Sequence, residues 1–396
     1  MTKPKIDKVH NPSRRDTLKQ VAKIGAVAAV LPLSGFSIGQ SKPTLRILGT
    51  HVTLQEELRQ RAMDDLGINL LFEPKGSAAV LQKASVNPSS FDLYEQWSNS
   101  INVLWRSKAI QSIDKSRISR YSEINSLTKT GKITANARIG AGDAPYKLLH
   151  VQENGELSNQ ETNQLSFLPY VHNVDSFGYN TSVIEKGIPY ETESWGWLLD
   201  PAYNGKVAVV NAPSIGLFDL ALSAQARGLV NFSDIGAMTQ AELNQLFDVL
   251  IEYKQKGHFS GFWTSVPESV RFMKSKRVVI ESMFSPAVSA LNGMGVPVTF
   301  AAPKEGYRGW HGVMCLSAQT QGRIKDVAYE YMNWWLSGWP GAFIAKQGYY
   351  ISNPQRSKTF LSTAEYNYWY CGKAASHALR GTDGEVSVSA GDIRTG

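Results

Sequence analysis

Two cysteines in 396 residues exclude a disulfide-built scaffold and any metal site made wholly of thiolates. Charged side chains are few, 19% of the chain, and no charge block or internal repeat at periods of 20–50 residues is present. After the first forty residues no segment is long and apolar enough to span a membrane, which takes ~20 residues. Reaction signatures are missing too. There is no H-E-x-x-H, no P-loop, no G-x-G-x-x-G and no C-x-x-C. The seven histidines (His10, His51, His150, His172, His258, His311 and His377) include no i, i+4 pair. No carboxylate pair stands out for glycoside chemistry. These absences make binding without chemistry the better expectation, and no cofactor is implied.

What is present is a large apolar complement, 42% of the chain, with 10 Trp, 16 Tyr and 15 Phe. That is ample for two or three domains with real cores. The net charge of +7 is unevenly placed. Residues 1–39 carry seven Lys/Arg and two acids, whereas the rest is nearly balanced, with 34 basic and 32 acidic side chains. The basic excess therefore gives no argument for nucleic-acid binding, which needs a basic patch on the folded domain.

Ser13-Arg14-Arg15-Asp16-Thr17-Leu18-Lys19 precedes a weakly apolar run from Val21 to Leu33. The segment resembles a twin-arginine export signal, with Thr17 where that pattern carries Phe. Ser37 and Gly39 place small residues at −3 and −1 of a cleavage site before Gln40. Cleavage would leave a soluble protein outside the cytoplasm, in the periplasm of a Gram-negative cell. The alternative is a basic amphipathic helix that stays attached. Cys315 lies in the apolar run Val313–Leu316. In an oxidising compartment Cys315 and Cys371 are either two buried free thiols or a disulfide, and both remain open.

From Thr44 onward the periodicity alternates. Strands are expected at Leu45–Leu48, Ile68–Phe72, Phe91–Trp97, Val207–Val210, Val278–Ser282 and Val296–Ala302. Helices are expected from Leu54, at Ala78–Ala84 and Gly216–Ala226, after the Thr239/Glu242 capping box, after Ser265, and over Ile324–Trp335. Residues 152–164 read as a loop and the tail after Gly381 as loosely structured. Such β-α-β alternation argues for an α/β fold.

Several segments in order carry a resemblance. These are Phe91-Asp92-Leu93 to Ser98, Ile110 to Ser116 (I-x-x-I-D-K-S), Leu168-Pro169-Tyr170 to Asn180, Ser194-Trp195 to Lys206, Pro303-Lys304-Glu305-Gly306 with Trp310, and Gly348-Tyr349-Tyr350 to Pro354. Over residues 44–356 the chain resembles the spermidine/putrescine-type solute-binding proteins of ABC importers. The resemblance implies a two-lobed α/β periplasmic binding fold with crossover strands and an interlobe ligand cleft. Lobe 1 is expected from 44–170 plus 283–317, and lobe 2 from 171–282 plus 318–396. It implies a monomer that captures a small polar solute, closes around it, and delivers it to ABC permease and ATPase subunits.

The same resemblance places ligand contacts at Thr50, His51, Trp97, Ser98, Asn99, Asn211, Ser214, Trp263, Phe284, Trp310 and His311. A polyamine site needs carboxylates for the ammonium groups and aromatic rings over the methylenes. The aromatics are present, but the stretches at Thr50-His51, Asn211–Gly216, Phe284-Ser285-Pro286 and His311-Gly312 carry no acid. Either Glu95, Asp219 or Glu281 supplies the charge, or the solute is a zwitterion, a polar neutral compound or a small anion. Asn211 and Ser214, ahead of the Leu217–Ala226 helix, would suit an anionic group. The aromatics also have a plain reading as core residues. An exported enzyme on the same scaffold, using His51 and His311 as acid/base or metal residues, is the alternative function.

Overall fold

The computed structural model describes residues 42–394 except Arg138, Ala141 and Asp143. The twin-arginine segment and its cleavage site lie outside the described residues. Three parallel strands, Asn69–Pro74, Thr44–Gly49 and Leu93–Trp97, open the sheet. Their helices are Glu56–Leu66 and Ser77–Val86. A second parallel set, Phe259–Trp263, Val207–Val210 and Ile280–Met283, stands at the other end. All four residues of Val207–Val210 are buried, as expected of a strand covered on both faces.

Two long strands join the sets. Leu168–Asn180 is 13 residues, ~40 Å of extended chain. Its first half pairs antiparallel with Arg308–Ser317, and its second half with Ile280–Met283 and Val298–Phe300. Arg308–Ser317 in turn pairs with Leu93–Trp97. These two strands are the crossovers.

Two large hydrophobic cores flank them. One gathers Leu45, Ile47, Leu58, Leu93 and Val313, and the other Phe177, Trp195, Val207, Leu246 and Ile280. The cores redraw the expected lobe boundaries. Residues 318–351, expected in lobe 2, pack into the first core through Val327, Tyr331, Trp335, Ile344 and Ile351. The return crossover ends beside Leu93–Trp97, and the short connection to the helix Gly322–Trp335 leaves it on that side. Residues 283–301, expected in lobe 1, pack with the second parallel set through Met283, Ala287, Leu291 and Ala301.

Local signals behave as their chemistry requires. Thr239 and Glu242 form the capping box of the helix Gln240–Gln255. Glu268 accepts from the Thr264 backbone N–H and hydroxyl, one residue before Ser265. The helix expected at Gly216 starts earlier, at Pro213, whose fixed φ suits the first turn. Residues 152–164 contain paired strand residues, and the tail forms a hairpin of Leu379–Arg380 with Val386–Val388. Leu379 and Val388 are buried there with Trp369 and Ala342, so that segment is packed. Cys315 is buried, Cys371 is exposed, and both are free thiols.

Candidate functional site at the strand crossover

Side chains alternate across a strand, and directly opposed residues of an antiparallel pair share a face. Trp310 stands opposite Asn173, and Arg308 opposite Asp175. These four therefore share one face of the crossover. Trp97, opposite Gly312, joins them at the end of its strand. The Trp97 and Trp310 rings meet edge-on at 4.6 Å, and Tyr349 meets Trp310 at 5.8 Å. The result is an aromatic shelf built from three separate stretches of sequence.

Next to the shelf lies a charge triad. Arg308 Nε donates to Asp219 Oδ1 at 2.6 Å, and Arg308 Nη2 lies 3.1 Å from Asp175 Oδ2. Asp219 comes from the helix Pro213–Ala226, so the triad ties the second lobe to both crossovers. Burial pushes the Asp219 carboxyl up to about 6, with Arg308 pulling it down and Asp175 adding to the rise. Burial also raises Asp175, against Arg308 and the Trp310 indole. Burial pulls the Arg308 guanidinium down, but the two aspartates more than offset it and hold it above its ordinary value. Asp219 Oδ2 is buried with no hydrogen-bond partner among the described residues.

The opposite face carries the histidines. His311 stands opposite His172, and the rings stack at 5.7 Å. His311 Nδ1 lies 3.3 Å from the Thr128 hydroxyl, and His172 stacks on Tyr350 at 5.5 Å. Burial pushes His311 down to about 4. Burial, then His311 and Arg394, push His172 down to about 3. Both rings are neutral at neutral pH. Because neighbours on a strand point to opposite faces, His311 does not join Trp310.

The other residues expected at the site divide clearly. Trp263 is 1% exposed, donates its indole N–H to the Ser282 carbonyl and packs edge-on against Phe284. It is a core residue of the second lobe, and the half-buried Phe284 lies beside it. Thr50 is buried, and His51 is exposed in the turn after the first strand. Ser98 and Asn99 form a 3-10 turn beyond Trp97, with Asn99 exposed. Asn211 and Ser214 are exposed at the start of the helix Pro213–Ala226. Within the eleven, rings pair with one another only as Trp97 with Trp310 and Trp263 with Phe284.

Three acids stood as alternatives. Glu95 is buried in the first core, accepts from the Tyr170 hydroxyl at 3.0 Å and is pushed up to about 7 by burial. Glu281 is buried in the second lobe on the Ser269 hydroxyl and pushed up to about 8, again by burial. Asp219 is the one that reaches the crossover. Sequence reasoning missed Asp175, Arg308 and Asn173, although each lies two positions from another site residue on its strand. It also missed Tyr349, which no local pattern ties to Trp310.

Among the described residues no group of three or more His, Cys, Asp or Glu could hold a metal ion. A cavity of about 730 Å³, lined by Asp65, Arg117, Asp326, Tyr329 and Trp334, lies on the first lobe and involves none of the shelf residues.

Two α/β lobes joined by crossover strands, with an aromatic and charged cluster at the junction, define a two-lobed solute-binding protein. The chain belongs to the bacterial extracellular solute-binding protein family, whose model matches residues 91–365. Its members are solute-binding proteins, not enzymes. The sequence matches no curated protein. Among solved structures, a protein described as a spermidine/putrescine ABC transporter from Listeria monocytogenes superposes with a TM-score of 0.61 at 15% identity, covering 82% of this chain and 88% of its own. The spermidine/putrescine ABC transporter substrate-binding protein of Streptococcus pneumoniae gives 0.56 at 16% identity, covering 82% and 87%. A GABA receptor gives 0.56 at 15% identity, covering 83% and 87%. At these identities the likeness is one of fold.

Proposed function

We propose that the protein is the solute receptor of an ABC importer, exported by the twin-arginine route to the periplasm, and that its solute is a small zwitterion with a single ammonium group. The observation that carries the solute class is the triad. Arg308 lies between Asp175 and Asp219, so two carboxylates and one guanidinium leave at most one net negative charge. That suffices for one ammonium group and leaves the second charge of a diamine without a partner. A desolvated ammonium without a counter-charge costs several kcal/mol, more than the ~0.5–2 kcal/mol of a cation–π contact. Trp97, Trp310 and Tyr349 would cover the methylenes, and the unpaired Asp219 Oδ2 would accept from the ammonium. That a receptor described as binding GABA, an amino-carboxylate, has a similar fold supports the reading.

Calorimetric titration of the mature protein with spermidine, putrescine and 4-aminobutyrate tests the solute class. The zwitterion should bind better, and submicromolar spermidine binding would overturn the reading. Small-angle scattering should show compaction on binding, because a solute held at the junction favours the closed state. Arg14→Lys with Arg15→Lys should leave an uncleaved precursor in the cytoplasm, and normal periplasmic yield would remove the twin-arginine assignment. A permease and ATPase encoded beside the protein would support the importer role.

A further inference from the structure

Glu95 is an acid buried in the first lobe, on the strand Leu93–Trp97. It stands two residues before Trp97 and therefore on the same face. The Tyr170 hydroxyl lies 3.0 Å from its Oε2, and Oε1 is buried with no hydrogen-bond partner among the described residues. The same hydroxyl lies 3.1 Å from Thr53 Oγ1. A hydroxyl carries one hydrogen, so Tyr170 donates to Glu95 or to Thr53 but not to both. The other groups that face Glu95 are Gly49 on the neighbouring strand, Met314 on the return crossover and Tyr331 on the helix Gly322–Trp335. None of these carries a positive charge. Burial accordingly pushes the carboxyl up to about 7, although the hydroxyls of Thr53, Tyr170 and Tyr331 pull it down.

Once ionised, this carboxylate has no counter-charge, a costly state until water reaches it. The strands leave water no path. A Cβ at Gly49 would lie 2.6 Å from the Glu95 carbonyl oxygen, so the two strands are in close contact. Trp335 closes the helix side, packed edge-on against Tyr170 at 4.9 Å. The remaining side is the turn of residues 50–53. Thr53 is buried, but His51, two residues earlier, is exposed. Gly49 is level with Glu95 and their strands run parallel, so the turn that follows Gly49 lies beside the strand end that carries Trp97.

We propose that residues 50–53 form a proton-controlled flap beside the aromatic shelf, shut over Glu95 while the acid is neutral and opened to water when it ionises. With its proton in place, Glu95 donates to the Tyr170 oxygen and Tyr170 donates to Thr53, a chain that ends on the turn. Without it, the Tyr170 hydrogen turns to the carboxylate, the stronger acceptor, and Thr53 no longer receives it. The sign follows from linkage. The shut flap holds a proton that the open, hydrated carboxylate releases, so its stability is full below about 4.5 and is lost as pH climbs to about 7. The wall of the junction beside Trp97 is thus firm in mild acid and loose above neutrality.

Hydrogen–deuterium exchange of the solute-free mature chain tests this independently of what the solute is. Wild type and Glu95→Gln are compared at equal pH, so that the intrinsic chemistry of exchange cancels, as does the titration of His51, the ionisable residue of the turn itself. The probe is residues 50–54, where the Leu54 N–H donates to the Thr50 carbonyl. Exchange there in wild type relative to Glu95→Gln should grow ~30-fold or more between pH ~5 and ~8, since each pH unit of proton release is worth up to tenfold. A ratio constant within about threefold overturns the proposal, because the turn then opens without exposing Glu95. A turn that exchanges no faster than the strand Thr44–Gly49 overturns it too, because the opening is then unfolding of the whole lobe. Should Glu95→Gln fail to fold, His51→Gln is followed alone with intrinsic exchange subtracted. Protection of the turn that falls as pH rises supports the flap, and a flat profile overturns it.

Discussion

Glu281→Gln should make the protein more stable, and increasingly so as pH rises. Glu281 is fully buried in the second lobe, where its partner is the Ser269 hydroxyl, and Oε2 has none among the described residues. Burial raises the carboxyl from its ordinary 4.5 to about 8. The folded protein therefore keeps a proton that the unfolded chain has released. The sign follows from linkage: a raised folded pKa gives stability that is full below the unfolded value and is lost as pH climbs through the folded one. For Glu281 the loss runs from about 4.5 to about 8. Glutamine matches the neutral acid in size and keeps a carbonyl acceptor for the Ser269 hydroxyl, but does not titrate. At ~1.4 kcal/mol per tenfold change in proton affinity, the advantage of the variant should grow by about 4 kcal/mol between pH ~5 and ~9. Urea unfolding of both proteins at several pH values measures it. Glu95, raised to about 7 in the other core, slopes both profiles alike, so their difference isolates Glu281. Parallel profiles across that range would refute the reasoning, because they would mean that Glu281 is ionised in the folded protein at no cost.

Two further substitutions probe the junction and the second lobe. Arg308→Ala leaves Asp175 and Asp219 buried without their cation, and should cost ~3–5 kcal/mol in urea unfolding at neutral pH, partly recovered by adding Asp219→Asn; a loss below ~1 kcal/mol would mean that the triad is already neutralised by protonation. Gly216→Ala would set a methyl 2.1 Å from the Val210 carbonyl oxygen, so the start of its helix must shift off the strand beneath, at ~1–3 kcal/mol; an unchanged urea midpoint would show that the helix start moves freely.

Much of the architecture was legible because it follows from short-range rules. Val207–Val210 reads as a covered strand from four consecutive β-formers, and it is one. Thr239 and Glu242 mark a helix start because the cap needs those groups three residues apart. The lobe boundaries were not legible. Whether residues 318–351 pack in one lobe or the other depends on where the return crossover ends, which is a matter of strand pairing across more than 200 residues.

The site divides along the same line. The sequence by itself determined the α/β alternation and the aromatic supply, while the two lobes and the shortage of acids at a polyamine site were what its family resemblance implied. Only the tertiary structure decided which aromatics face the junction, sending Trp263 into a core and joining Trp310 to Trp97. It also set His311 on the reverse face, since alternation on a strand sends neighbours apart. And it brought together Asp175, Asp219 and Arg308, three charges from distant stretches of chain. Charge balance at a buried point depends on what lies within a few ångströms in space, and spacing along a chain carries no measure of that.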